Sequence, residues 1–195
     1  MPRRSLPLLL ATLVVLAIPA SAPAKINVAV GIGDQSAKMF DNSSYKSLGI
    51  KKVRYFIHWD AATKPDEMQK AENFVKAANS AGAKVLMHIS TNNLQAKKAK
   101  LPSLKEYKLG IAALIEKFKP MGVKEWGAWN EANHVTQPTY KSPKAAASFY
   151  KAMKTLCSGC TIVALDVLDQ KGVESYIKKW FAAAGAAGKS AKVIG

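Results

Sequence analysis

From residue 26 onward the chain alternates two patterns. Short, β-branched apolar runs end in polar residues, and each is followed by a longer Ala- and Lys-rich stretch in which apolar residues recur every three or four positions. The first pattern predicts strands and the second amphipathic helices, so the chain reads as repeated βα units. Strands are expected over 26–32, 53–58, 84–89, 123–129, 161–168 and, as the start of a sixth, 192–194. Most are nearly continuous apolar runs, as parallel strands covered on both faces require.

The intervening helices carry their own end signals. Ser103-Leu104-Lys105-Glu106 is a capping box, after which Ile111, Leu114, Ile115 and Phe118 share a face before Gly122. Ser142-Pro143 reads as an N-cap followed by proline at the first helical position, with Phe149, Tyr150, Met153 and Leu156 behind it. After Pro65, residues Met68, Ala71, Phe74, Val75 and Ala78 form an apolar stripe that ends at Gly82. Val173, Ile177, Trp180 and Phe181 mark the last helix and are expected in the core.

A parallel βα array either closes as an eight-stranded barrel or stays open as a doubly wound sheet. Length favours the open sheet. Against it, Gly31-Ile32-Gly33 lacks the third glycine and the helix start of a dinucleotide-binding turn. The polar residues decide, because they gather where strands end: Asp34, His58-Trp59-Asp60, the segment from His88 to Asn93, Asn130-Glu131, and Asp166 with Asp169. That is the distribution of a barrel enzyme. The expected fold class is therefore α/β, an incomplete (β/α)8 TIM barrel of about five βα units plus the start of a sixth strand.

The N-terminus changes the picture of where the protein works. Arg3 and Arg4 precede an apolar run over 6–18, followed by the small residues Ala20-Ser21-Ala22-Pro23-Ala24. This reads as a secretory signal peptide over 1–24, too short for a comfortable membrane span, with Lys25 as the mature N-terminus; an uncleaved anchor is the alternative. Residues 25–195 then form one domain. Secretion frames Cys157-Ser158-Gly159-Cys160, for which a redox pair, half a zinc site and a structural disulfide compete. With no other cysteine in the chain and a helix before the motif instead of after it, the disulfide is favoured.

Basic residues outnumber acidic ones 29 to 13. Such a field attracts anionic glycans, cell-wall phosphates or nucleic acid. Most lysines, however, fall on helix faces expected to be solvated, and no basic-aromatic signature points to nucleic acid. No metal-ligand spacing and no Ser/His/Asp arrangement stands out, and no cofactor is expected.

The segment Glu125-Trp126-Gly127-Ala128-Trp129-Asn130-Glu131-Ala132-Asn133 resembles the fourth-strand motif of the clan A retaining glycoside hydrolases. Val30-Gly31-Ile32-Gly33-Asp34-Gln35 and Val53-Arg54-Tyr55 resemble the first two strands of barrels in that group, of the kind related to β-xylosidases and endo-glycosidases. The resemblance implies that Glu131 is the catalytic acid/base and that Asn130 hydrogen-bonds the sugar 2-hydroxyl as the oxocarbenium ion develops. An apolar wall such as Trp129 would hold the Glu131 carboxyl protonated by desolvation. Without the resemblance, an Asn-Glu pair is also what a helix cap looks like, but an apolar strand precedes this pair and no clear helix follows it.

Weaker candidates surround the pair. Arg54 matches the second-strand arginine that lies near the nucleophile in the resembled family, unless it points outward as a solvated charge. Trp59 and Trp126 are candidate sugar platforms, with Trp126 better explained as core. His58 and His88 sit where a sugar hydroxyl would be met, or serve as hydrogen-bonded structural histidines. Asn133, His134 and Gln137 are placed on the acceptor side, while Asp166 and Asp169 have no ranked role.

The expected partner is therefore a carbohydrate substrate, with an anionic glycan or the cell wall as a variant, no nucleic acid, and no membrane after signal removal. The resemblance places the nucleophile as a Glu at the end of a seventh strand, so the chain through Gly195 is expected to lack it and to be inactive alone. A non-catalytic carbohydrate- or wall-binding barrel and an open-sheet α/β protein are the rival readings.

Overall fold

The computed structural model describes residues 28–91, 93 and 99–195. The expected signal segment over 1–24, the expected mature start at Lys25, the first residues of the expected strand 26–32, and Asn92 lie outside the described residues.

Five parallel strands form one sheet: β1 (Ile32–Gly33), β2 (Lys52–His58), β3 (Lys84–Ser90), β4 (Glu125–Gly127) and β5 (Thr161–Val163). Their spatial order is their sequence order, β1-β2-β3-β4-β5. A doubly wound sheet would reverse direction at a switch point; a sheet that adds every strand on the same side is a sector of a barrel. An isolated parallel bridge, Val163↔Val193, continues the progression at the expected sixth strand. The chain is thus α/β, a partial (β/α)8 barrel.

The helices are α1 (Ser43–Leu48), α2 (Pro65–Ser80), α3 (Leu104–Phe118), α4 (Pro143–Leu156), α5 (Val173–Ala184) and α6 (Ala186–Lys189). The capping box at Ser103 and Glu106 is complete, each side chain bonding the other's backbone N–H. Phe74, Phe118, Phe149 and Trp180 are buried on the stripes anticipated for them. Trp126 is core, its indole N–H donating to the Val123 carbonyl. Cys157 and Cys160 are joined by a disulfide at the end of α4.

Three strands and one helix differ from expectation: β1 covers only Ile32–Gly33, and residues 28–31 of the expected 26–32 lie outside the ladder. The ladders of β4 and β5 are shorter than 123–129 and 161–168, because residues beyond them make single bonds to neighbours: Ala128 N–H to Val163, Asn130 N–H to Ile89, and Ala164 N–H to Val193. Helix α1 was not anticipated. It is built from Ser43-Ser44-Tyr45-Lys46-Ser47-Leu48, weak helix formers, and depends on the Asn42 side chain capping Ser44 and Tyr45.

Candidate active site

The C-terminal ends of β2, β3 and β4 open on a cleft of about 550 Å³. Strand alternation decides what reaches it. On β2, Val53, Tyr55 and Ile57 face the helices and are buried, which turns Arg54, Phe56 and His58 to the opposite face. The parallel register sets Phe56 beside His88 and His88 beside Gly127. A Cβ at Gly127 would lie 1.9 Å from the His88 ring, so glycine is needed there for the imidazole to lie across β4.

Glu131 sits just past β4 with φ 44°, the non-glycine residue with positive φ among the described residues. Backbone strain of this kind costs roughly 1–3 kcal/mol and survives only where surroundings enforce it. The turn places Glu131 on the cleft wall beside Asn130, whose side chain is buried and whose Oδ1 has no protein partner. A buried acceptor left open at a cleft wall is suited to a ligand donor such as a hydroxyl. His58, His134 and Gln137 line the same cleft. His134 Nδ1 is 2.7 Å from Thr136 Oγ1, and the Gln137 side chain also accepts the Trp129 indole N–H at 3.0 Å.

Other expected site residues are placed elsewhere. Trp59 falls on the helix-facing side of β2's path and is 8% exposed, so it is core and not a platform on the cleft. Trp129 is turned toward the helices as well, stacked on Phe149 and near Tyr107, and so is not the apolar wall of the Glu131 carboxyl. Asn133 spends its side-chain amide on the Leu168 backbone, donating to the carbonyl and accepting from the N–H at 2.8 Å each. Asp169 is exposed and outside the cleft lining.

Arg54 and His88 meet behind the cleft on one atom, Asp166 Oδ2. Arg54 Nη1 lies 3.8 Å from it and His88 Nε2 3.6 Å, while the Glu131 N–H donates to it at 3.4 Å. Burial lowers the His88 pKa to about 4 against the opposing pull of Asp166, so the imidazole is neutral at neutral pH. Burial also lowers the His58 pKa, with Glu67 opposing.

Glu67 is a second carboxylate on the cleft wall that sequence reading passed over. It lies in the first turn of α2, where an acidic residue reads simply as a partner for the helix dipole. Its carboxyl is held below the usual range chiefly by the hydrogen bond from Lys70 at 3.0 Å. Gln35, Ser90 and Thr91 complete a polar wall, and among the described residues no group of His, Cys, Asp or Glu is arranged to hold a metal ion.

No family model matches the chain, and no curated relative matches it. Among solved structures it is similar to the Pseudomonas stutzeri endoglucanase Cel5A in complex with cellobiose, with a TM-score of 0.50 and 20% identity over 66% of this chain and 41% of that one. It is similar also to a cellulase–inhibitor complex, at TM-score 0.49 and 17% identity over 75% and 49% of the two chains. A third is the β-glucosidase from Thermotoga maritima in complex with glucoimidazole, at TM-score 0.45 and 13% identity over 74% and 42%. The chain spans about two-fifths of the length of the endoglucanase. At such identity the likeness concerns the fold alone, a partial (β/α)8 barrel.

Proposed function

We propose that this chain carries the acid/base side of the active site of a secreted retaining glycoside hydrolase, acting on O-glycosidic bonds of a polysaccharide or glycoside. The observation that carries the reading is Glu131 itself: a carboxyl on a left-handed turn at the C-terminal end of the fourth strand, facing a polar cleft beside an Asn with an open buried acceptor. Barrel chemistry is built at that end of the strands. The resemblance of Trp129-Asn130-Glu131 to the acid/base motif supports the same assignment.

In this reading the Glu131 carboxyl donates its proton to the glycosidic oxygen as the bond to the anomeric carbon breaks. The nucleophilic carboxylate of the eight-stranded enzyme forms the new bond from the opposite face, which requires it about 5–5.5 Å from the acid. Glu131, now a carboxylate, takes a proton from water as that water displaces the nucleophile. Asn130 Oδ1 accepts a hydroxyl of the reacting sugar throughout. The claim for these residues is the acid/base.

Glu131→Ala in a polypeptide with turnover tests the assignment. Hydrolysis of glycosides with poor leaving groups should fall by about 10²–10⁴-fold, the usual contribution of general acid catalysis. Activated aryl glycosides should lose much less in the first step, and external azide should partly restore their turnover. Normal activity of the variant on natural glycans would refute the assignment. Intact glycan affinity in Glu131→Gln, with no turnover by any polypeptide containing this domain, would favour a carbohydrate-binding barrel instead.

A further inference from the structure

The turn that displays Glu131 is bound to the segment after β5 at several consecutive points. Asp166 Oδ2 accepts the Glu131 N–H at 3.4 Å, and the Asp166 carbonyl accepts the Ala132 N–H at 2.8 Å. Asn133 exchanges both amide atoms with Leu168, and the Gln170 side chain donates to the Asn133 carbonyl at 2.8 Å. The backbone bonds and the Asn133 clamp fix where the turn lies. The Asp166 carboxylate bond addresses the one residue in it whose conformation is strained.

At 3.4 Å that bond is long and weak by itself. Its force comes from how the acceptor is held. The same oxygen lies 3.8 Å from the Arg54 guanidinium and 3.6 Å from the neutral, buried His88 ring, so it sits between a cation and a ring that limit where it can move. Arg54 is steadied in turn by the Phe56 ring, 4.6 Å below its guanidinium carbon. His88 lies in the space that Gly127 leaves open. Four strands thus converge on one oxygen, and that oxygen touches the amide of the proposed acid.

We propose that Asp166 is the positioning residue for Glu131: its carboxylate, set between Arg54 and His88, enforces the left-handed turn that sets the Glu131 carboxyl on the cleft wall. The catalytic consequence rests on Glu131 being the acid/base. The structural content, that Asp166 determines the conformation of residue 131, stands apart from it. A simple charge partner for Arg54 would instead leave residue 131 unchanged when removed.

Asp166→Ala and Asp166→Asn are the variants that decide. In a polypeptide with Glu131-dependent turnover, Asp166→Ala should lower kcat about 10²-fold on glycosides with poor leaving groups, the scale expected for a misplaced catalytic group. KM should stay within about two-fold, and activated aryl glycosides should lose far less, since they need little protonation. Asp166→Asn keeps an acceptor oxygen but not the charge, so it should show a smaller loss with the same leaving-group bias. In a crystal structure determined for Asp166→Ala, residue 131 should leave the left-handed region. Unchanged kcat, equal losses on both substrate classes, or residue 131 still near φ 44° in Asp166→Ala would each overturn the proposal. Should Asp166→Ala fail to fold, the leaving-group comparison on the near-isosteric Asp166→Asn decides, with equal losses refuting it. Should Glu131→Gln keep full turnover, the acid/base reading fails, while the conformation of residue 131 in Asp166→Ala still decides this one.

Discussion

On β2, Val53, Tyr55 and Ile57 point to the helices and are buried, whereas Arg54, Phe56 and His58, alternating with them, point to the other face and are half-buried. The same division runs through β4, where Trp126 is sealed under the helices and its neighbours Glu125 and Gly127 face inward. The helix side is held by apolar packing: Tyr107, Trp129 and Phe149 stack together, and Phe74 meets both Phe40 and Tyr55. The inner side carries the charge pairs Lys52–Glu125 and Arg54–Asp166, with the neutral His88 ring beside the Asp166 carboxylate. Stability is therefore expected to reside on one face and chemistry on the other, because buried apolar area stabilises regardless of precise orientation whereas polar contacts add little net stability but fix geometry.

The largest test of this division is Trp126→Ala. The side chain is fully buried, and removing it leaves a cavity the surrounding helices cannot fill, so unfolding free energy should fall by about 3–5 kcal/mol. Urea denaturation would read this as a lower midpoint. A loss under about 1 kcal/mol would mean that the helix-facing layer does not carry the fold.

A smaller effect should come from the inner face as pH falls. His88 is neutral in the folded chain, with its pKa lowered to about 4 by burial, whereas in the unfolded chain it returns to about 6.5. Its full contribution to stability is present above about 6.5. Below that, the unfolded chain binds a proton that the folded one resists, so stability falls until the folded pKa is reached at about 4. His58 shifts in the same direction, so His88→Gln should flatten the decline without abolishing it. An unchanged slope in His88→Gln would show that the buried imidazole is not what titrates.

What was readable in the chain follows the same division. Periodicity reports burial against the helices, so the βα order, the helix stripes and the core role of Trp126 were legible. Trp59 was misjudged because its place after His58 suggested a rim residue, although it continues the odd-numbered series Val53, Tyr55, Ile57 that faces the helices. Asn130 and Glu131 were singled out by their motif, and both line the cleft. Asp166 could not be ranked, because its partners Arg54, His88 and Glu131 come from three other strands and only the register brings them to one oxygen. Gly127 looked like an ordinary motif residue until the His88 ring was seen lying over it. Glu67 was hidden by a sufficient local explanation, its place in the first turn of a helix.

The smallest expected effect is at the other end of the inner face. Lys52 Nζ lies 3.5 Å from Glu125 Oε1, with side chains 48% and 30% exposed. A pair this open gains little from Coulomb attraction in water and gives up rotamer freedom to form, so its worth is about 0–1 kcal/mol. Lys52 is also the direct cross-strand neighbour of Lys84, an unfavourable juxtaposition of like charge. The two contributions oppose, and Lys52→Met removes both. Its unfolding free energy should therefore stay within about 0.5 kcal/mol of the parent at low salt, and any difference should shrink further at about 1 M salt, where the Debye length is about 3 Å. A loss above about 2 kcal/mol that persists in salt would place fold stability on the inner face and break the division, since no surface ion pair accounts for a cost of that size.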